Sequence, residues 1–215
     1  MYAADIFYSY RRDPDTPLYE TMDALAAVVR QGKALYAGIS NYNSEDTKEA
    51  AKLLEGMGAR CLINQARYSM FDRRPEDGLL DALGELGMGC IVFSPLEQGM
   101  LTDRYLTGIP EDSRAAKSWG YLKPEQLTDK RLEVVKSLNG IAAGRGQTLA
   151  QMAIAWTLRD GRVTSALIGA SSARQLRDNT AALENCAFSD VELAEIEKVL
   201  LTSNLLNQFS KPFSS

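Results

Sequence analysis

The sequence predicts an α/β fold in which repeated βα units build a parallel sheet. Short apolar runs alternate with helix-length amphipathic segments from end to end, and residues that start and stop helices fall at the joints between them. No linker, low-complexity block or internal repeat breaks the rhythm, so residues 1–215 read as one domain of five such units.

The first strand is expected over residues 5–8. Thr16 as N-cap and Pro17 at the first helical position then launch a helix with Leu18, Met22, Leu25 and Val29 on one face, stopped by Gly32. Strand two covers residues 35–39, and its helix covers 45–54, ended by Gly56 and Gly58. Strand three covers 61–64, with a helix over 76–86 stopped at Gly87. Strand four covers 90–93. The connection after it, residues 95–128, has no sustained period and is punctuated by Gly99, Gly108, Pro110, Gly120 and Pro124, the profile of a functional lid or of a disordered segment. A helix over 129–143 follows, and another opens at the capping box Thr148–Gln151 with Leu149, Met152 and Trp156 on its apolar face. Strand five covers 165–168. Two further capping boxes, Ser172 with Gln175 and Ser189 with Glu192, start helices over 173–184 and 190–201, and residues 202–215 read as a mobile tail.

Composition narrows the function. The chain has 215 residues, a net charge of −4 and a pI near 5.1, which gives no basic field for a polyanion. Nucleic acid is therefore not expected as a partner; small molecules or proteins are. No apolar run approaches a membrane span, and Asp5, Arg11 and Arg12 near the start do not form a signal-peptide profile, so a cytoplasmic protein without membrane insertion is expected. There is no histidine, which rules out Ser/His/Asp and Cys/His catalytic sets. Catalysis would have to use carboxylate, tyrosine, lysine or a cofactor. Cys61, Cys90 and Cys186 lack metal-ligand spacing and read as buried free thiols, so no metal is expected.

In βα architectures ligands lie at the carboxyl ends of the strands, where loops vary freely and helix N-termini present unpaired N–H groups. That edge comprises Ser9 and Tyr10, Ser40 and Asn41, Gln65, residues 94–98, and residues 169–172. Small hydroxyls and amides of this kind suit a planar carboxamide. Gly169 to Ser172, opening a helix, suits a phosphate, although an ordinary loop with a serine cap reads the same way. Arg104, Arg114 and Arg174 can add charge. No G-x-G-x-x-G follows a strand; Gly144 and Gly146 lie between helices with Leu149 at the third position, which argues against a Rossmann site.

Several of these runs carry a resemblance: Gly38-Ile39-Ser40-Asn41-Tyr42, Phe93-Ser94-Pro95-Leu96, residues 108–114, and Leu167-Ile168-Gly169-Ala170-Ser171 through Asn179. In this order and spacing the chain resembles the aldo-keto reductase family from about residue 3 to residue 200, most closely its glyceraldehyde-3-phosphate reductase and potassium-channel β-subunit branch. The resemblance implies a (β/α)8 barrel that binds NADPH at its carboxyl-terminal face and reduces an aldehyde or ketone. It matches Ser40, Asn41 and Gln65 to the positions that hold the nicotinamide carboxamide. Phe93, Ser94, Pro95, Leu96 and Gln98, with Arg104 and Arg114, match the loop over the pyrophosphate. Gly169, Ser171, Gln175, Asp178 and Asn179 match the adenine and 2′-phosphate end, with Asp178 where the family usually has glutamate.

The resemblance aligns the five strands with barrel strands four to eight, so the expectation is a partial TIM (β/α)8 barrel with two extra helices, truncated at its amino terminus. The family's catalytic Asp, Tyr and Lys have no counterpart here, and its catalytic histidine is replaced by Tyr10. Tyr10 is the one candidate proton donor; the alternative is that it fills the vacated pocket. The implied function is NADPH-dependent reduction of a small-molecule carbonyl substrate, impaired or lost in this chain; the alternatives are a non-catalytic NADPH-binding or protein-interaction module and a purely structural remnant that binds nothing. A five-strand sheet leaves bare edges, so either self-association through them or marginal stability is also expected.

Overall fold

Five strands lie side by side in chain order: β1 (Ala4–Ser9), β2 (Ala34–Ser40), β3 (Cys61–Arg67), β4 (Gly89–Phe93) and β5 (Ser165–Leu167). Pairing is parallel from β1 through β4, and β5 borders β4. This α/β arrangement is the partial barrel expected. The structure is a computed structural model that describes residues 4–106 and 127–202. By internal contacts the chain sorts into two units that interleave along the sequence. Met1–Arg67, Arg74–Phe93 and Gly161–Ser165 form the first; Tyr68–Arg73, Ser94–Asp160 and Ala166–Ser215 form the second.

In the first unit, helices α1 (Leu18–Arg30), α2 (Ser44–Gly56) and α3 (Leu79–Leu86) follow the first three strands. Their apolar positions recur every three to four residues, and Leu18, Met22, Leu25, Ala50, Leu54, Leu80 and Leu83 are buried. Alternation along the strands gives the sheet two unlike faces. Ile39, Asn64, Cys90 and Val92 share one face and are buried, and the Asn64 amide reaches the α2 hydroxyl of Thr47 at 3.1 Å. Ile6, Tyr8, Tyr36, Gly38, Gln65 and Ile91 share the other, where Tyr36 is 47% exposed. Gly38 is dictated by this face, because a Cβ there would lie 2.6 Å from the Tyr8 ring. Cys61 and Cys90 are buried as expected, and burial pushes the Cys61 thiol up to about 12, far from a reactive thiolate.

The second unit contains α4 (Asp129–Gly144), α5 (Leu149–Leu158), α6 (Ala173–Thr180) and α7 (Asp190–Thr202). α4 packs on α5 and α7, and α5 on α6. The α5 residue Trp156 is at the centre: its ring lies 5.3 Å from that of Tyr68, with the Arg159 guanidinium 3.6 Å above it and donating to the Tyr68 hydroxyl at 2.9 Å. Arg145, just past α4, stacks on Phe188 at 3.7 Å, pairs with Glu192 at 2.5 Å and donates to the carbonyls of Asn185 and Ala187.

Several local expectations are corrected. Thr16 does not cap α1; its hydroxyl donates to Asp13 at 2.7 Å, and Pro17 takes the cap position without a side-chain bond. Val29 is only half-buried. Residues 76–86 are not one helix, since a short 3₁₀ turn, Arg74–Glu76, and a left-handed Gly78 at φ 80° precede α3. β3 runs three residues further than expected, so Gln65 lies within the strand, paired with Ser40 and Ile91. The helix over 173–184 divides into α6 and a 3₁₀ turn, Ala181–Asn185, at Thr180, whose hydroxyl bonds back to the Arg177 carbonyl at 3.0 Å. The capping boxes at Thr148–Gln151 and Ser189–Glu192 form in both directions. Residues 107–126 of the expected lid and residues 203–215 of the expected tail lie outside the described residues.

Candidate functional site

The carboxyl ends of β1, β2 and β3 meet in a tight polar cluster within the first unit. The Ser40 hydroxyl donates to the Gln65 carbonyl at 2.9 Å, and the Asn41 N–H donates to the same carbonyl at 2.9 Å. The Asn41 side-chain amide donates to the Ser40 hydroxyl at 3.0 Å and to the Tyr10 carbonyl at 3.4 Å. To make these contacts Asn41 sits in the left-handed region at φ 58°, which asparagine tolerates better than most residues. The Gln65 side-chain amide makes no hydrogen bond among the described residues and is half-exposed. Ser40, Asn41 and Gln65 are therefore brought together, leaving an amide donor and acceptor available at the strand ends.

Ser9 and Tyr10 behave differently from their neighbours. The Ser9 hydroxyl bonds the buried Tyr42 hydroxyl at 2.9 Å and so braces the loop after β2 instead of facing a ligand; burial raises the Tyr42 pKa. Tyr10 is 73% exposed.

In the second unit the loop leaving β4 is closely wound. Ser94 and Gln98 are both left-handed, at φ 58° and 60°, and the Gln98 amide donates to the Ser94 hydroxyl at 3.3 Å. Pro95 is buried, while Phe93 and Leu96 are half-buried. Arg104 is exposed in a 3₁₀ turn, Asp103–Tyr105, capped by the Thr102 hydroxyl. Arg114 lies outside the described residues.

The loop leaving β5 is held locally. Ser172 caps α6 by accepting from the Gln175 N–H at 3.1 Å, but the reciprocal half of the expected capping box is shifted by one residue. The Gln175 side-chain oxygen accepts instead from the Ser171 N–H at 2.8 Å and the Ser171 hydroxyl at 3.0 Å. Gly169 and Ser171 are exposed, and Asp178 pairs with Arg174 on the surface at 3.7 Å. The Asp178 carbonyl accepts from Gln151 at 2.8 Å. Asn179 is buried, and its side-chain Nδ2 has no hydrogen-bond partner among the described residues. A buried donor left in this state costs about 1–3 kcal/mol unless an acceptor reaches it.

The Aldo/keto reductase family profile matches residues 2–201. The chain belongs to the aldo-keto reductase family. It is 47% identical over 205 residues to proteins named L-glyceraldehyde 3-phosphate reductase from Escherichia coli O157:H7 and from Escherichia coli strain K12, covering 94% of this chain and 59% of each relative. It thus spans under two thirds of these relatives' length. Among solved structures it superposes on a thermostable aldo-keto reductase, Tm1743, in complex with the inhibitor epalrestat. The TM-score is 0.68 at 26% identity, covering 92% of this chain and 60% of that one.

Reasoning from sequence assigned no role to Tyr42, Ser69, Glu97 and Arg131, all of them buried, although Glu97 falls within the 94–98 run. Tyr42 stood in a quoted motif without a role. A buried glutamate in a polar connection has no sequence marker at all.

Proposed function

We propose that this chain binds NADPH at the carboxyl ends of its strands and belongs to an oxidoreductase that reduces an aldehyde, with glyceraldehyde 3-phosphate as the first substrate to test. The observation that carries the reading is the uncommitted amide of Gln65 beside Ser40 and the left-handed Asn41, a pattern that complements a carboxamide. Backbone strain in non-glycine residues concentrates at functional sites, and every such residue among the described ones follows β2 or β4. In the second unit, the buried and unpartnered Asn179 Nδ2 fits an acceptor of a nucleotide. The relatives' names support glyceraldehyde 3-phosphate as substrate.

When bound, NADPH would supply hydride. Ser40, Asn41 and Gln65 would orient the nicotinamide; residues 94–98 and Arg104, with Arg114, would take the pyrophosphate; Gly169, Ser171, Gln175, Asp178 and Asn179 would take the adenosine end. The carbonyl oxygen also needs a proton. Tyr10, which the resemblance matches to the family's histidine position, is exposed and able to donate from its hydroxyl, and the resemblance finds no match for the family's catalytic Asp, Tyr and Lys in these residues. Turnover by these 215 residues is therefore expected to be impaired or absent.

Fluorescence titration with NADPH, followed by a turnover assay with glyceraldehyde 3-phosphate, tests both parts. Quenching that saturates supports the cofactor site, and its absence refutes it. Measurable turnover that is lost in Tyr10→Phe would show that Tyr10 donates the proton. Saturable quenching without turnover would instead make the chain a binding module.

A further inference from the structure

The loop leaving β4 holds three non-glycine residues in the left-handed region within five positions: Ser94, Glu97 and Gln98, at φ 58°, 46° and 60°. L-residues adopt this region at a cost, and such a loop persists only when its surroundings over-determine it. Glu97 is where that determination converges. Its N–H donates to the Ser94 carbonyl at 3.0 Å and its carbonyl accepts from Met100 at 3.1 Å, so its backbone closes the loop on both sides. Its side chain points inward and the residue is only 4% exposed. Oε2 accepts from the Ser69 hydroxyl at 2.9 Å. The same hydroxyl oxygen accepts from the N–H groups of Phe71 and Asp72 at 3.2 and 3.1 Å, which locks the turn it belongs to. Arg131, buried in the first turn of α4, is the opposing charge: burial lowers its pKa, and the Glu97 carboxylate acts in the other direction.

A buried carboxylate in a loop is expensive unless hydrogen-bonded and opposed by a cation, and Glu97 has both. Residues 97–99 form a single 3₁₀ turn interrupted by the left-handed Gln98, so these contacts serve the connection and not a longer element. We propose that Glu97 is a positioning residue: its carboxylate, held by the Ser69 hydroxyl, keeps residues 94–98 in the wound conformation that presents their backbone to the cofactor. Glu97 itself touches no cofactor and acts through Ser94 and Gln98. The inference rests on the NADPH-binding reading above.

Two variants of the full chain test it. Glu97→Gln keeps the shape and the acceptor oxygen but removes the charge opposite Arg131; Glu97→Ala removes both. Hydrogen exchange on the ligand-free protein reads the loop at the amides of Glu97, Gly99, Met100 and Leu101, each bonded within the loop. Exchange there is expected to rise about tenfold in Glu97→Gln while α5 amides keep their wild-type rates, and to rise further in Glu97→Ala. NADPH affinity, from fluorescence titration, is expected to fall about tenfold in Glu97→Gln. Unchanged loop exchange overturns the proposal, as does faster exchange with unaltered affinity. A rise shared equally by α5 also overturns it, because it would mean that Glu97 serves global stability alone. If Glu97→Ala does not fold, the isosteric Glu97→Gln decides. A wild-type chain that binds no NADPH overturns the proposed function and the cofactor role of Glu97 together, whereas wild-type binding that Glu97→Gln leaves untouched overturns only the latter.

Discussion

The loops leaving β4 and β5 solve the same problem on opposite plans. The first is wound against a buried carboxylate and uses three left-handed L-residues; the second stays on the surface, uses ordinary backbone at Gly169, and is held by Ser171, Ser172 and Gln175 within five positions. The difference teaches that a strained loop is held from a distance in sequence, whereas an unstrained one needs only local caps. Ser69 lies 28 residues from Glu97, and Gln175 lies 3 residues from Ser172. One plan gives a fixed surface, the other an adjustable one.

Substitutions can break this contrast, beginning with the largest effect. Glu97→Ala removes a buried carboxylate that holds the Ser69 hydroxyl and is expected to lower stability by about 3 kcal/mol in urea titration; a loss no larger than that of an exposed residue would mean that the anchor is not shared. Ser94→Val places a β-branched residue at φ 58° and removes the acceptor of Gln98, for an expected loss of about 2 kcal/mol. At the β5 loop, Ser172→Ala removes the N-cap of α6 and should cost about 1 kcal/mol by the same measurement.

Acid sharpens the comparison for a second local device, the box that opens α7. The Ser189 N–H and hydroxyl, and then Arg145, hold the Glu192 carboxyl below its ordinary value of 4.5. A lowered carboxyl stabilises the fold fully above that ordinary value and loses its contribution as pH falls through the folded one. Thermal melts from neutral pH downward should therefore show a loss below about pH 4.5 that is smaller in Glu192→Gln. Gly169→Ala is the smallest change, because a Cβ there meets nothing within 4 Å and the backbone is not left-handed; stability should stay within about 0.5 kcal/mol.

Most of the architecture was legible because it is built from local signals. Apolar period, Gly32, Gly87 and the boxes at Thr148 and Ser189 bring the strands and helices to within a few residues of where they lie. β3 was read short because Gln65 and Arg67 interrupt its apolar run, and a polar residue belongs there only because that face of the sheet is partly open. At the site, Ser40 and Asn41 were legible from residue type and position after a strand. Glu97, Ser69 and Arg131 were not, since buried polar groups that meet across distant segments leave no periodic trace. Thr16 was misread because Asp13, three residues back, competes for its hydroxyl.

Thr164 gives its N–H to the Cys90 carbonyl at 2.8 Å and takes the Cys90 N–H on its own hydroxyl at 3.1 Å. This short return, Gly161–Ser165, is the last piece of the first unit to be synthesised. A nascent chain emerging from the ribosome must therefore carry Cys90 with an unmet neighbour until the whole of Ser94–Asp160 has been translated. Neither half can be cut out as an uninterrupted gene fragment, and a stop codon anywhere before Gly161 would leave the first half ragged along β4.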